Sequence, residues 1–220
     1  MPATQKPLVV HAWPQSLQLA VDELHACQRL TVISVPTPVT TSRLLARNLI
    51  RAALCETLAV FLGQPAASVR LVSHAGRAIR VDALPAPLAR LHVSLSHAPG
   101  MSVAAIGRGA AVGVDVMHVQ RGAEGMSDWA RVALDYLGPT TTVLLQRTSP
   151  EQLPAAFAQA WTRFEACLKC VGLALTEWTP VLEKRLASCR VMALALPENS
   201  RGSIAIGSLT LTDKPPARLR

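Results

Sequence analysis

Apolar residues at helical spacing mark two long helices. Ile50, Leu54, Leu58, Phe61 and Leu62 fall on one face of a helix that the pattern carries over Arg43–Leu62. Thr40-Thr41-Ser42 offers side chains to cap its first amides, Gly63 suits its C-cap, and Pro65 bars continuation. Phe157, Trp161, Phe164, Leu168 and Val171 form the stripe of a second helix ending near Gly172, its start blurred by Pro150 and Pro154. Residues 129–137 read as a shorter helix, with irregular chain from Gly138. Residues 16–29 read as another, between short strands at 8–10 and 30–35. Apolar runs at 91–95, 103–106 and 111–116 read as strands, the last two forming a hairpin across Gly107-Arg108-Gly109. A further turn is expected at Ala75-Gly76-Arg77. Residues 191–212 read as two strands separated by 197–202, and 213–220 as a frayed end.

Composition narrows the function classes. Half of the 220 residues are apolar and only 4% aromatic, so the chain can bury a core, built mainly from Ala, Leu and Val. The net charge is +8 and the pI about 9.9. That balance favours a polyanionic partner: nucleic acid, an anionic membrane, a phosphorylated small molecule or an acidic protein. The basic residues are dispersed, and one Tyr and three Phe leave little to stack on bases, which weighs against nucleic acid. No run of about 18 apolar residues predicts a membrane span, and residues 1–14 lack the pattern of a signal peptide. Five cysteines in no disulfide pattern fit a reducing compartment. The expected setting is the cytoplasm. Cys167 and Cys170 fall late in a helix and read as two small helix residues rather than a redox pair or half of a zinc site.

Three places break the local rules. Asp115 stands inside the apolar strand Val112-Gly113-Val114-Asp115-Val116-Met117, where an ionised carboxylate is costly unless paired or metal-bound. Gly113 lets a ligand or another backbone come close. The strand alone leaves open a carboxylate simply paired with an Arg. Glu165 and Lys169 are four apart on the second long helix, and read either as a surface ion pair or as part of a buried end flanked by Trp161, Phe164 and Leu168. Ser94-Leu95-Ser96-His97 closes a strand with groups that suit a phosphate. On the first long helix Arg43, Arg47 and Arg51 repeat every four residues: a solvated basic end, or a face turned to a bound anion.

Taken in order, Ser-x-Ser-His, then Gly-Val-Asp, then Trp-x-x-x-Glu-Ala-x-x-Lys on a helix resembles the surfactin-type 4'-phosphopantetheinyl transferase family over about residues 42–172. The resemblance implies an α+β fold of two similar α/β lobes, 1–110 and 111–220, related by a pseudo-twofold. Each lobe would be a small, mostly antiparallel sheet packed on a long helix. Coenzyme A and Mg²⁺ would lie at the junction. It implies Asp115 and Glu165 as metal ligands, Lys169 near the pyrophosphate, and Ser96 and His97 at the adenosine 3'-phosphate. Arg77, after Gly76, would be a further phosphate contact, with Arg43 or Arg47 at the helix start. The implied reaction is attack by a serine hydroxyl of an acidic acyl or peptidyl carrier protein on the β-phosphate, with Glu165 as base and 3',5'-ADP leaving. A monomer is expected, with no nucleic-acid or membrane partner.

The sequence departs from the pattern in four ways. Met117 stands where many members carry a third acid, Phe164 where the motif has Lys, and Ala78 where Pro is usual. An acid often found near residues 136–142 is not obvious. Met117 and Phe164 motivate the alternative of a relative that binds coenzyme A or a carrier without turnover. The metal reading makes one geometric demand: the carboxyls of Asp115 and Glu165 must lie within about 10 Å of each other.

Overall fold

A computed structural model describes residues 6–26, 30–73, 79–82, 91–119 and 128–207. The first elements are β1 (His11–Ala12), α1 (Leu17–His25), β2 (Leu30–Pro36), α2 (Arg43–Leu62), β3 (Leu71–Val72) and β4 (Arg80–Val81). Then come β5 (Leu91–Ala98), β6 (Met101–Arg108), β7 (Val112–His118), α3 (Trp129–Val132) and α4 (Gly138–Gln146). The chain ends with α5 (Leu153–Cys170), α6 (Pro180–Leu186), β8 (Arg190–Ala193) and β9 (Ser200–Ile206). The fold is mixed α+β.

The larger sheet has strand order β1-β2-β6-β5, antiparallel except for β1 on β2. The smaller has order β7-β9-β8 and is antiparallel throughout. β3 and β4 form a separate ribbon. Each of the two larger sheets packs on a long helix. In α2 the Ser42 hydroxyl accepts the Leu45 amide, and Gly63 ends the helix at φ 63°, where a Cβ is disfavoured. Its buried Ile50, Leu54 and Leu58 meet Ile33, Val93 and Ile106 of the larger sheet. Each such side chain contributes about 1.5–3 kcal/mol on burial. On the other side α5 sets Ala166, Cys167 and Cys170 against Ala205 of β9. Leu30, Val32, Val103 and Ala105 of one sheet share a cluster with Val114, Val116 and Ile204 of the other. The two sheets are thus apolar neighbours, which brings the end of β5 beside β7.

Several expectations change. β6 and β7 are not a hairpin. Both edges of β6 are taken, by β2 and β5, and β7 crosses to the second sheet and pairs with β9. The hairpin lies one connection earlier, between β5 and β6, and turns at Gly100 with φ 87°. The chain after Gly138 is helical rather than irregular, because Pro139 sits at the start of α4, where its missing N–H has no partner to lose. The strand expected at 8–10 reduces to one bridge, Leu8 to Leu194, with β1 following at His11. Helix α6 was not anticipated. The turn at 75–77, residues 27–29 of the first expected helix and residues 208–212 of the last expected strand lie outside the described residues. Among the described residues no helix is long and apolar enough to cross a membrane.

Candidate functional site

β7 and α5 meet face to face at Gly113. A Cβ there would collide with the Ala166 carbonyl oxygen and the Cys170 amide nitrogen. The absent side chain lets the helix backbone lie directly on the strand, so Gly113 admits another backbone. That contact carries Glu165 and Lys169 to Asp115, two residues along β7. Asp115 is buried. The Lys169 ammonium donates to Asp115 Oδ1 at 2.7 Å and to the Val114 carbonyl at 3.1 Å. It stands 3.7 Å from Glu165 Oε2. Both carboxylates therefore approach one nitrogen atom, which meets the geometric demand of the sequence reading. The i,i+4 pair is one side of a three-member cluster rather than an isolated surface ion pair.

Glu165 is held on its other side as well. The Trp161 indole N–H donates to Oε1 at 3.0 Å. The Trp161 ring is fixed by stacking on Phe157 at 5.9 Å and by an edge contact with Tyr136 at 5.6 Å. Burial and, after it, the nearby Asp115 carboxylate raise the Glu165 pKa above its ordinary value; Lys169 and the Trp161 hydrogen bond act the other way. Two carboxylates this close in a half-buried place make a site for cationic charge.

Ser94 and Ser96 attach β5 to β7 through side chains rather than a backbone ladder. The Val114 amide donates to Ser94 Oγ at 3.0 Å and the Val116 amide to Ser96 Oγ at 3.2 Å. Ser96 in turn donates to Asp115 Oδ1 at 2.7 Å. Its hydroxyl serves the carboxylate and the strand, not an open cleft. His97, the next residue, does face a cleft. Its Nδ1 shares a hydrogen bond of 2.9 Å with the Ser102 hydroxyl.

That cleft has a volume of about 380 Å³, and Arg43, Arg47, Arg51, His97 and Lys169 are among its lining residues. The three arginines run along one wall, at the α2 end that precedes its apolar stripe. Arg51 is tied to the Leu71 carbonyl at 2.9 Å; Arg43 and Arg47 are exposed at the wall. Burial first, then Arg43, Lys169 and Arg47, push the His97 imidazole down to about 4, so it is neutral at physiological pH. The wall is cationic without help from this histidine, and an anion placed there would favour protonating it.

The other sequence candidates sort as follows. Arg77 lies outside the described residues. Met117 packs with Ala133, Leu145 and Phe157, an apolar setting with no use for a third acid. Phe164 is buried with Leu168 and Leu182 in the core below α5. Cys167 and Cys170 are buried, and burial, with Cys189 beside them, pushes both thiols up to about 12. They are inert packing residues at neutral pH. Reading the sequence missed the Trp161 indole N–H as a partner of Glu165, although its place four residues before the Glu on one helix was visible. It also missed that both serines turn to β7.

The donor set fits a hard divalent cation. Mg²⁺ is bound by one or two carboxylates, with water and phosphate oxygens completing six positions. Asp115 and Glu165 would supply two, beside a cleft with a basic wall. Among the described residues no group of three or more His, Cys, Asp or Glu forms a metal site, so an all-protein cage is not what this place offers. No curated protein matches the chain. One family model does match, over residues 111–204, from just before β7 into β9 and including Asp115, Glu165 and Lys169. That stretch is similar to the 4'-phosphopantetheinyl transferase superfamily, a family of transferases.

Proposed function

We propose that the chain is a surfactin-type enzyme that moves the 4'-phosphopantetheine arm of coenzyme A to a serine of an acyl or peptidyl carrier protein. The observation that carries the reading is the meeting of Asp115 and Glu165 at one ammonium, beside a cleft walled by Arg43, Arg47 and His97. A sugar phosphate and a pyrophosphate need a cationic wall next to a place for a hard cation. This cleft combines the two.

Asp115 and Glu165 would hold Mg²⁺, which when bound offsets charge on the phosphate oxygens. Arg43, Arg47 and His97 bind the anionic end of coenzyme A, and Arg77 is a further phosphate contact. Lys169 faces the pyrophosphate. Glu165, directly or through a water, accepts the proton of the carrier serine as its oxygen bonds to the β-phosphorus. The bond from that phosphorus to the bridging oxygen breaks, and 3',5'-ADP leaves. Positioning and charge stabilisation supply most of the rate in such transfers. The +8 balance steers both coenzyme A and an acidic carrier toward the site. The two sheets with their helices represent the lobes 1–110 and 111–220 of a cytoplasmic monomer.

The test is intact mass. A panel of apo-carrier proteins is incubated with coenzyme A and Mg²⁺, and at least one gains the mass of phosphopantetheine. Glu165→Gln lowers that rate by ~10²-fold or more. No mass gain across the panel refutes transfer. Binding of coenzyme A without it would instead identify a non-catalytic relative.

A further inference from the structure

Lys169 is bound in two directions at once. Its ammonium meets three oxygens: Asp115 Oδ1 at 2.7 Å, the Val114 carbonyl at 3.1 Å and Glu165 Oε2 at 3.7 Å. Two carboxylates and a carbonyl are the oxygen set that a hard cation takes. The same side chain lines the cleft with Arg43, Arg47 and His97. Its root is fixed: the Lys169 Cβ lies only 3.0 Å from where a Cβ would stand at Gly113, so the stem starts hard against β7. Beyond that root three more methylenes with rotatable bonds carry the point charge. Asp115 does not depend on the ammonium alone, because the Ser96 hydroxyl donates to the same Oδ1.

We propose that Lys169 is an internal counter-ion that competes with the divalent cation for the Asp115–Glu165 pair, and that cation entry transfers its ammonium to the substrate phosphates in the cleft. The inference rests on the proposed reading of that pair as metal ligands. A divalent cation and an ammonium cannot share Oδ1 without strong repulsion in a half-buried place. The ammonium released from the carboxylates turns to the cleft, where phosphate offers it new acceptors. Ser96 keeps Asp115 in position while its cation changes. Metal and phosphate then bind cooperatively, and the coupling is reciprocal.

The experiment counts free Mn²⁺ by electron paramagnetic resonance, using the full chain after chelator treatment, with and without 3',5'-ADP. Wild type, Lys169→Met, Arg47→Met and Asp115→Asn are compared. Lys169→Met is expected to bind Mn²⁺ ~10-fold more tightly than wild type without nucleotide, because the competitor is gone. Addition of 3',5'-ADP is expected to tighten Mn²⁺ binding by ~10-fold in wild type and by at least threefold less in Lys169→Met. Arg47→Met removes an equal charge from the cleft wall but touches neither carboxylate, and should change Mn²⁺ affinity by less than ~3-fold. Lys169→Gln repeats the test should the Met variant melt early. Unchanged or weaker Mn²⁺ binding in the Lys169 variants overturns the proposal, as does Arg47→Met tightening it equally. If wild type binds no Mn²⁺, or Asp115→Asn binds it as well as wild type, the metal reading of the pair falls first.

Discussion

Gly113→Ala isolates the contact on which the site is built. The added methyl would overlap two backbone atoms of α5, the Ala166 carbonyl oxygen and the Cys170 amide nitrogen, and would stand 3.0 Å from the Lys169 Cβ. Backbone cannot rotate aside as a side chain can. Restoring an ordinary contact of roughly 3.5 Å requires α5 to back away by more than about 1 Å. Overpacking costs about 1–3 kcal/mol, and the upper end applies where the obstacle is a helix backbone. For a chain of this size each kcal/mol lowers Tm by about 2–4 °C, so about 3 kcal/mol predicts a fall of roughly 6–12 °C.

The effect on transfer should be larger than the effect on folding suggests. Glu165 and Lys169 bracket Ala166 on the displaced stretch, so both move away from Asp115 together. A misplacement of about 1 Å in a reacting constellation lowers kcat/KM by ~10²-fold. Thermal unfolding and carrier modification by intact mass measure the two quantities. Gly207→Ala is the control: its methyl would meet Ala111 Cβ and Cys170 Sγ at 3.5 Å each, an ordinary contact, and should alter Tm by less than ~2–4 °C. A Gly113→Ala protein with wild-type Tm and kcat/KM within ~3-fold would refute the idea that this close approach positions the site.

Three further outcomes follow from the same geometry. Ser96→Ala leaves the Val116 amide without its hydroxyl partner and Asp115 Oδ1 with the Lys169 ammonium alone, a loss of about 1–3 kcal/mol, read as a lower Tm by differential scanning calorimetry. Ser96→Thr should recover most of it. Trp161→Phe keeps the ring stack but removes the donor to Glu165 Oε1, so kcat should fall by ~10-fold with KM for coenzyme A little changed. His97 is held at about 4, below its unfolded value of 6.5. The unfolded chain then binds the extra proton between those values, so the stabilisation that His97 allows above pH 6.5 is lost as pH falls toward 4. Wild-type Tm should drop more steeply over that window than the Tm of His97→Gln, and parallel curves would contradict the assignment.

What the sequence revealed, and what it hid, follows from which signals are local. Helix α2 was readable to its ends because its apolar period, the Ser42 cap and Gly63 all lie within its own residues. The pairing of β6 was not. Apolar runs show that a strand is buried but not which strand lies beside it, and β7 finds its partner in β9, far along the chain. Helix α4 hid behind Gly138-Pro139, a pair that reads as a breaker although proline is well placed at a helix start. The Asp115, Glu165 and Lys169 cluster was legible through the family resemblance that the order of the motifs carries. The assignment of Ser96 beside His97 overlooked strand parity. Neighbouring residues of a strand point to opposite faces, so Ser94 and Ser96 go together toward β7 while His97 turns to the cleft.

The stretch that matches the transferase superfamily holds the carboxylates and Lys169, whereas Arg43, Arg47 and His97 come from α2 and β5, outside it. The two halves must therefore be registered against each other to a fraction of an ångström. A continuous backbone ladder between β5 and β7 would register the strands but would do nothing for Asp115, because carbonyls and amides would satisfy only one another. A serine hydroxyl both accepts and donates. Ser96 accepts the Val116 amide at 3.2 Å and donates its own O–H to Asp115 Oδ1 at 2.7 Å. With Ser94 Oγ on the Val114 amide beside it, this oxygen couples the spacing of the two sheets to the orientation of the carboxylate between them. A shift of one sheet on the other cannot occur without disturbing Asp115, which makes the basic wall and the carboxylate pair a single positioned unit.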